Sequence, residues 1–150
     1  MNKILNYTIC LFLLSLFSIT NAVAQKTIMA DGHWTKKNTT WDFQYNASIT
    51  IDSGNKVSGF IVWRIVKTDN SAIAYYRGKL NMVAVENISG SYDPAQYHLQ
   101  FEGTSKNDPN GIIGLDVYDL YLKNNNISGK TKAGGTWEGI FTGSYSTLGN

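Results

Sequence analysis

Glu86 is the acidic residue whose position most suggests chemistry. The even-numbered residues of the segment 82–92 are mostly apolar and include this acid: Met82, Ala84, Glu86, Ile88, Gly90 and Tyr92. Alternate side chains of a β-strand share one face of the sheet, so Glu86 points inward if this mostly apolar face is the buried one. A buried carboxylate needs a partner or a raised pKa. The pattern therefore predicts an inward acid that must be satisfied by its neighbours.

Arg64 is the partner that the sequence suggests for Glu86, and Arg77 is the second choice. Arg64 belongs to the predicted strand 57–67, whose even-numbered face also carries Phe60, Val62 and Val66. If that face is buried, Arg64 also points inward. An Arg64–Glu86 pair could act as a polar anchor inside a ligand cavity. It could equally be a structural ion pair that closes the fold, and an exposed, misassigned face is the third interpretation.

Aromatic residues make up 13% of the chain and recur along its whole length. Buried Trp and Tyr side chains seek a partner for the N–H or O–H group. An aromatic-lined cup would suit a flat apolar ligand or a sugar, whereas the same residues in a solid core would only fill space. We take Arg64, Glu86, Trp63 and Tyr118 as the candidate ligand-binding residues.

Catalytic and metal sites find little support in the residue types. His33 and His98 are the two histidines, and neither has a partner at a metal-ligand spacing. The single cysteine, Cys10, lies near the start of the chain. Nucleophile-elbow and phosphate-loop motifs are absent from the sequence. We therefore predict a protein that is not an enzyme, with no catalytic residue, no metal site and no cofactor.

The chain of 150 residues has the length of one domain, and its apolar residues recur with a period of two. In the segment 41–51 every odd position is apolar or aromatic, and every even position is polar. Similar patterns or apolar runs predict strands near 32–36, at 57–67, within 72–92, at 97–102, along 112–123, and at 127–132 and 136–145. Short loops between strands favour antiparallel pairing of sequence neighbours. We therefore predict an all-β, antiparallel up-and-down meander of about eight strands that forms a closed or nearly closed β-barrel.

Residues 1–24 are predicted to be a secretory signal peptide, which leaves residues 25–150 as a single β-barrel domain. Lys3 supplies the positive charge, an apolar run covers 9–17, and Ala22-Val23-Ala24 fits a cleavage site after Ala24. Such cleavage removes the only cysteine, and secretion without disulfides favours a bacterial periplasm or exterior. The formal net charge of +2 argues against a nucleic-acid partner. No later segment is long and apolar enough to be a membrane-spanning helix.

Two short motifs resemble those of small secreted calycin-type barrels, the lipocalins and avidins. Gly32-His33-Trp34 forms a G-x-W pattern near the start of the predicted domain, and the segment from Gly135 to Gly139, with Phe141 following, is similar to a late avidin strand. The resemblance implies a barrel with one internal ligand. Residues 35–38 do not match the biotin-binding residues of avidins, so the resemblance implies a shape and no ligand residues. The segments 86–93, 111–116 and 135–137 also look like those of bacterial secreted domains without a known function.

The leading functional hypothesis is a secreted or periplasmic barrel that binds a small apolar or amphiphilic ligand in its interior. The alternative is a protein-interaction or inhibitor module that acts through its loops, of which 106–111 is the first candidate. A lesser alternative is a small outer-membrane barrel, because alternation alone does not say which face meets lipid. Several predicted strands are shorter than the roughly 9–11 residues that such a barrel needs.

Overall fold

The protein is an eight-stranded antiparallel β-barrel. The computed structural model describes residues 25–68, 76, 78–133 and 135–148. The predicted signal peptide at 1–24 and Arg77 therefore lie outside the described residues. The strands are β1 (Lys26–Lys36), β2 (Asp42–Ile51), β3 (Lys56–Lys67), β4 (Val83–Asp93), β5 (His98–Asn107), β6 (Val117–Lys123), β7 (Asn126–Ala133) and β8 (Thr136–Leu148). Each strand pairs with the next, and β1 pairs with β8 to close the barrel.

The period of two in the sequence decides which side chains fill the barrel. In β2, five alternate apolar residues are buried: Phe43, Tyr45, Ala47, Ile49 and Ile51. The residues between them face outward and are half-buried or exposed. Removing these apolar faces from water is the main favourable contribution to folding, and the pairing of β1 with β8 closes the sheet. The predicted up-and-down meander is confirmed.

Two predicted boundaries are wrong. The first strand begins at Lys26, well before the predicted segment 32–36. The predicted strand along 112–123 is a strand only from Val117, because residues 111–116 form a loop. The Asp108 carboxylate binds the backbone amides of Ile112 and Ile113, so these amides do not join a strand ladder. The apolar pattern before Val117 arises from a loop that packs onto the barrel.

The barrel has two ends, which the connections between strands define. The upper end carries the connections β1–β2, β3–β4, β5–β6 and β7–β8. The lower end carries the connections β2–β3, β4–β5 and β6–β7, together with the start of β1 and the end of β8. Within the described part of the chain, no helix has the length and apolar character that crossing a membrane requires.

Candidate functional site

A cavity of about 170 Å³ lies at the upper end of the barrel. Its walls come from every strand except β5, from the β5–β6 loop, from Trp41 of the β1–β2 connection and from Tyr76 of the β3–β4 connection. Aromatic side chains and acidic side chains contribute most of the lining. The lining residues are Trp34, Lys36, Trp41, Phe43, Trp63, Tyr76, Glu86, Ile112, Ile113, Gly114, Asp116, Tyr118, Ala133 and Glu138.

Glu86 is the buried acid of this cavity, with 1% of its surface exposed. One carboxylate oxygen, Oε2, accepts hydrogen bonds from Trp63 Nε1 at 2.9 Å and from the Tyr118 hydroxyl at 2.6 Å. The other, Oε1, accepts from the backbone N–H of Asp116 at 3.3 Å. Burial raises the pKa of Glu86, and these three donors oppose the rise only in part. The site therefore holds a carboxyl group that ionises less readily than an ordinary glutamate.

The proposed ion pair between Arg64 and Glu86 is wrong. Arg64 lies on the outer face of β3 and is exposed, and its partner across the strand pair is Val83, whereas Glu86 lies opposite Ile61. Segment 57–67 is apolar on nearly both faces, so the pattern did not fix which face is inward. The inward residues are the odd-numbered ones, including Trp63. Neighbours on a strand point to opposite faces, so Arg64 and Trp63 could not both enter the barrel.

A second set of hydrogen bonds connects Asp116 to the opposite wall. Trp34 Nε1 donates to Thr131 Oγ1 at 2.6 Å, and the Thr131 side chain is hydrogen-bonded to the Asp116 carboxylate. Burial raises the pKa of Asp116, the charge of Glu138 adds to the rise, and the Thr131 hydrogen bond opposes it. Because the Asp116 backbone also binds Glu86, the two acids belong to one network that crosses the cavity wall.

Two glycines leave space for this network. A Cβ atom at Gly103 would overlap the Glu86 carboxylate, and a Cβ atom at Gly139 would overlap Trp34 Nε1 and Thr131 Oγ1. Any side chain at either position would displace a hydrogen-bonded group. These glycines thus allow the close approach of polar side chains inside a closed barrel.

The β5–β6 loop, residues 108–116, covers part of the cavity, and we call it the covering loop. The Asp108 side chain has no exposed surface and accepts the amides of Ile112 at 2.8 Å and Ile113 at 3.0 Å. Burial by itself would raise the pKa of Asp108, but these amides and Lys106 outweigh it and lower the pKa. This anchoring holds Ile112, which is 1% exposed, against the core.

The rim of the cavity combines charge with aromatic faces. Lys36 Nζ lies 3.7 Å from a Glu138 carboxylate oxygen and 4.7 Å from the centre of the Trp41 ring. Trp41 meets Tyr76 edge to face, with ring centres 5.3 Å apart. The Trp41 Nε1 group is buried and has no hydrogen-bond partner. Buried donors are rarely left unpaired, so this N–H is a free position for an acceptor.

The structure brings together three of the four predicted site residues: Glu86, Trp63 and Tyr118. Asp116 and Thr131 were missed by sequence analysis. Asp116 lies just before β6, in a segment whose apolar pattern changes phase. The pattern therefore did not indicate which way the Asp116 side chain points. A glycine inside a strand pattern, such as Gly103, is a signal for a close approach, but it does not identify the approaching group.

The site offers hydrogen-bond acceptors, aromatic faces and a cavity that is partly open to solvent. Among the described residues, no group of three or more His, Cys, Asp and Glu side chains is arranged to hold a metal ion. Glu86 is already engaged by three protein donors. The arrangement is suited to enclosing and orienting a small molecule.

Comparison of the chain with protein-family models, with curated proteins and with solved structures finds no match. The eight-stranded meander barrel is compatible with a calycin-like fold. The G-x-W residues lie in the second half of β1, with Trp34 in the cavity wall. In the second motif, Phe141 is buried in the core, and the Trp137 side chain lies outside what the structure describes.

Proposed function

We propose that this protein is a non-enzymatic β-barrel that binds one small apolar or amphiphilic molecule in the cavity at its upper end. The observation that carries the proposal is a partly open cavity of about 170 Å³ with aromatic walls and a buried, hydrogen-bonded carboxyl group. Small-molecule sites are mostly apolar concavities with a few placed polar groups. The closed eight-stranded meander, which is compatible with a calycin-like fold, and the resemblance of two short motifs to lipocalins and avidins support the same function.

The size of the cavity limits the ligand to a small molecule. Pockets for drug-sized ligands hold roughly 300–1,000 Å³, and a cavity of about 150 Å³ can hold one benzene ring. The volume of about 170 Å³ therefore fits a ligand body of about one ring. The unpartnered Trp41 N–H can serve a hydrogen-bond acceptor on such a ligand.

The outer surface of the barrel favours an aqueous environment. Outward-facing strand residues include Gln44, Asn46, Arg64, Asn87 and Lys130. A lipid-facing barrel needs an apolar outer band, so these residues support the ligand-binding proposal over the outer-membrane alternative. With the predicted signal peptide, we place the function in the periplasm or outside the cell.

The protein-interaction alternative relied on the loop at 106–111. Lys106 contacts the Asp108 carboxylate at 3.2 Å, and Asp108 is occupied with backbone amides of the same loop. These contacts stabilise the covering loop, although the Lys106 side chain is itself partly exposed. Their use inside the protein favours the cavity over the loop as the binding site.

Native mass spectrometry tests the proposed function. The full chain is expressed in a secreting bacterial host and purified without detergent. We expect a native mass that exceeds the denatured mass by one small molecule. A bare native mass would count against a captured ligand.

A variant with a blocked cavity locates that ligand. Gly114 lines the cavity, and a Cβ atom there meets no atom nearer than 3.7 Å. Gly114→Phe should therefore fold and lose the extra mass. Ser53→Phe, in an exposed turn at the lower end, is the matched control and should keep it. Extra mass that survives Gly114→Phe would place the ligand elsewhere.

A further inference from the structure

The acidic groups of the cavity exceed its basic groups. Glu86, Asp116 and Glu138 line the cavity together with one lysine, Lys36. Lys36 pairs with Glu138 at 3.7 Å. Among the described residues, no salt bridge within 4.0 Å reaches Glu86 or Asp116. The hydrogen bonds to both carboxyl groups come from neutral donors. The cavity therefore faces two acids that form no salt bridge within the described part of the chain.

The aromatic wall already attracts ammonium groups. Lys36 Nζ lies 4.7 Å from the Trp41 ring centre, and Lys79 Nζ lies 5.8 Å from the Tyr76 ring centre. Trp34, Phe43 and Trp63 continue the wall inward. Cations are attracted to the faces of aromatic rings, most strongly to Trp and more strongly when they are desolvated. These interior rings offer the same kind of surface that the rim lysines contact, and among the described residues no lysine lies over them.

The unbalanced acids and the aromatic wall both favour a positively charged ligand. An anion would face Glu86 and Asp116 at short range in a medium where charges interact more strongly than in water. A neutral ring would use the aromatic wall alone. An organic cation would interact favourably with the carboxyl groups and with the rings, and it would offset the cost that burial imposes on the ionised acids.

We propose, on the basis of the proposed function, that the ligand is a small organic cation: an ammonium group on an apolar body of about one ring. The ring packs against the cavity wall that Trp34, Phe43 and Trp63 form. The ammonium group lies on the side of Asp116 and Glu86. Asp116 determines the preference for charge, because its carboxyl group is less completely enclosed than that of Glu86 and has fewer protein donors.

A series of three ring compounds tests this inference, because its members differ in charge and share one shape. Benzylammonium, benzyl alcohol and benzoate are titrated into the secreted full chain, and binding is measured by calorimetry. We expect benzylammonium to bind about tenfold more tightly than benzyl alcohol, a difference of about 1.4 kcal/mol. Benzoate should bind most weakly.

The outcomes separate the inference from the proposed function. Equal binding of benzylammonium and benzyl alcohol would overturn the cationic ligand and leave a small-molecule site in place. Binding of none of the three would overturn both proposals. Tighter binding of benzoate would contradict the charge argument directly.

Asp116→Asn tests the residue assigned to charge selection. This variant keeps a hydrogen-bond acceptor for Thr131 and removes the charge. We expect it to lose the preference for benzylammonium and to retain binding of benzyl alcohol, which also shows that it folds. Glu102→Gln removes an exposed acid from β5 outside the cavity and should leave the preference unchanged. An unchanged preference in Asp116→Asn would overturn this assignment, and if that variant does not fold, the charge series on the unaltered protein decides.

Discussion

The upper and lower halves of the barrel interior are built from the same eight strands but are filled differently. The lower half is mostly aliphatic, and its buried residues include Ile28, Ile49, Ile51, Val57, Leu99, Leu120, Leu122 and Ile127. The upper half contains a cavity, several aromatic rings and the buried Glu86. Aliphatic side chains can fill a barrel without polar atoms to satisfy, whereas buried polar groups need partners. Aliphatic packing therefore fills the lower end, whereas the upper end keeps a polar and aromatic cavity, where we propose that a ligand binds.

The aromatic rings between the two halves form a floor for the cavity. Tyr45 stacks on Phe141 with ring centres 4.0 Å apart, and Phe101 stacks on Tyr118 at 4.6 Å. Trp63 meets Phe141 edge to face at 6.1 Å. Such stacked and edge-to-face pairs add to the stabilisation that burial gives. This layer separates the polar network above from the aliphatic core below.

The largest expected effect is the loss of stability in the lower half. Leu120 has no exposed surface, so Leu120→Ala should lower the free energy of unfolding by about 3 kcal/mol, through lost burial and the cavity it leaves. Ligand affinity should change little, because Leu120 does not line the cavity. Urea denaturation and calorimetry measure the two quantities. Leu80→Ala, at a residue 52% exposed, is the control, and an equal loss in both variants would contradict tight packing of the lower half.

A smaller loss is expected where a side chain is introduced beside the polar network. Gly103→Ala places a methyl group against the Glu86 carboxylate, and overpacking of this kind costs about 1–3 kcal/mol. Gly114→Ala has room for its methyl group and should change stability by less than about 0.5 kcal/mol. Denaturation of both variants in the unaltered and Glu86→Ala backgrounds isolates the clash. If Gly103→Ala costs as much without the Glu86 side chain, the contact with this carboxylate is not its cause.

The buried Glu86 should give the upper half a pH-dependent contribution to the stability of the protein. The raised pKa of Glu86 means that the folded protein binds this proton more tightly than the unfolded chain does. The stability that this group contributes is therefore complete below its ordinary pKa of 4.5 and is lost as pH rises through the folded-state pKa. Unfolding free energies of the unaltered protein and of Glu86→Gln are measured at several pH values across this window.

We expect the stability of the unaltered protein to fall relative to Glu86→Gln as pH rises. Asp116, whose pKa is also raised, is present in both proteins, so its first-order effect cancels in the difference. Asp108 acts in the opposite direction, because its lowered pKa contributes stability that is lost as pH falls. A difference that does not vary with pH would show that Glu86 is not held in a protonation state different from that of the unfolded chain.

The smallest effect is expected at Arg64, on the outer face of β3. Arg64→Ala should change the free energy of unfolding by less than about 0.5 kcal/mol, since exposed substitutions have little effect. Ligand affinity should also remain the same. Removing one partner of a buried ion pair would cost about 3–5 kcal/mol, so denaturation of this one variant separates the observed orientation from the predicted one.

The fold could be predicted because its pattern is regular. The period of two in β2, the short connections and the number of strands are sufficient to indicate a meander that closes. The inward position of Glu86 could also be predicted, because β4 carries polar residues on its other face, such as Asn87 and Ser89. Where one face is clearly polar, alternation fixes the direction of the side chains.

The details of the site could not be predicted, because they depend on contacts between distant segments. β3 is apolar on nearly both faces, so Arg64 could not be oriented from sequence. The covering loop has apolar residues with a strand-like spacing, and only the capture of its amides by Asp108 makes it a loop. The partner of Glu86 was sought among cations, whereas Trp63 and Tyr118 supply neutral donors.

The pairing of β1 with β8 is the one pairing among the described strands that does not join sequence neighbours. The cavity lies across this seam, since Trp34 and Lys36 of β1 and Glu138 of β8 all line it. A bound molecule would therefore act as a clasp that holds the two ends of the sheet together. At a free concentration of about 100 times Kd it would stabilise the closed barrel by about 2.7 kcal/mol. Separation of β1 from β8 would then be coupled to release of the ligand. Amide hydrogen exchange along β1 and β8 would report the fraction of molecules that hold a ligand.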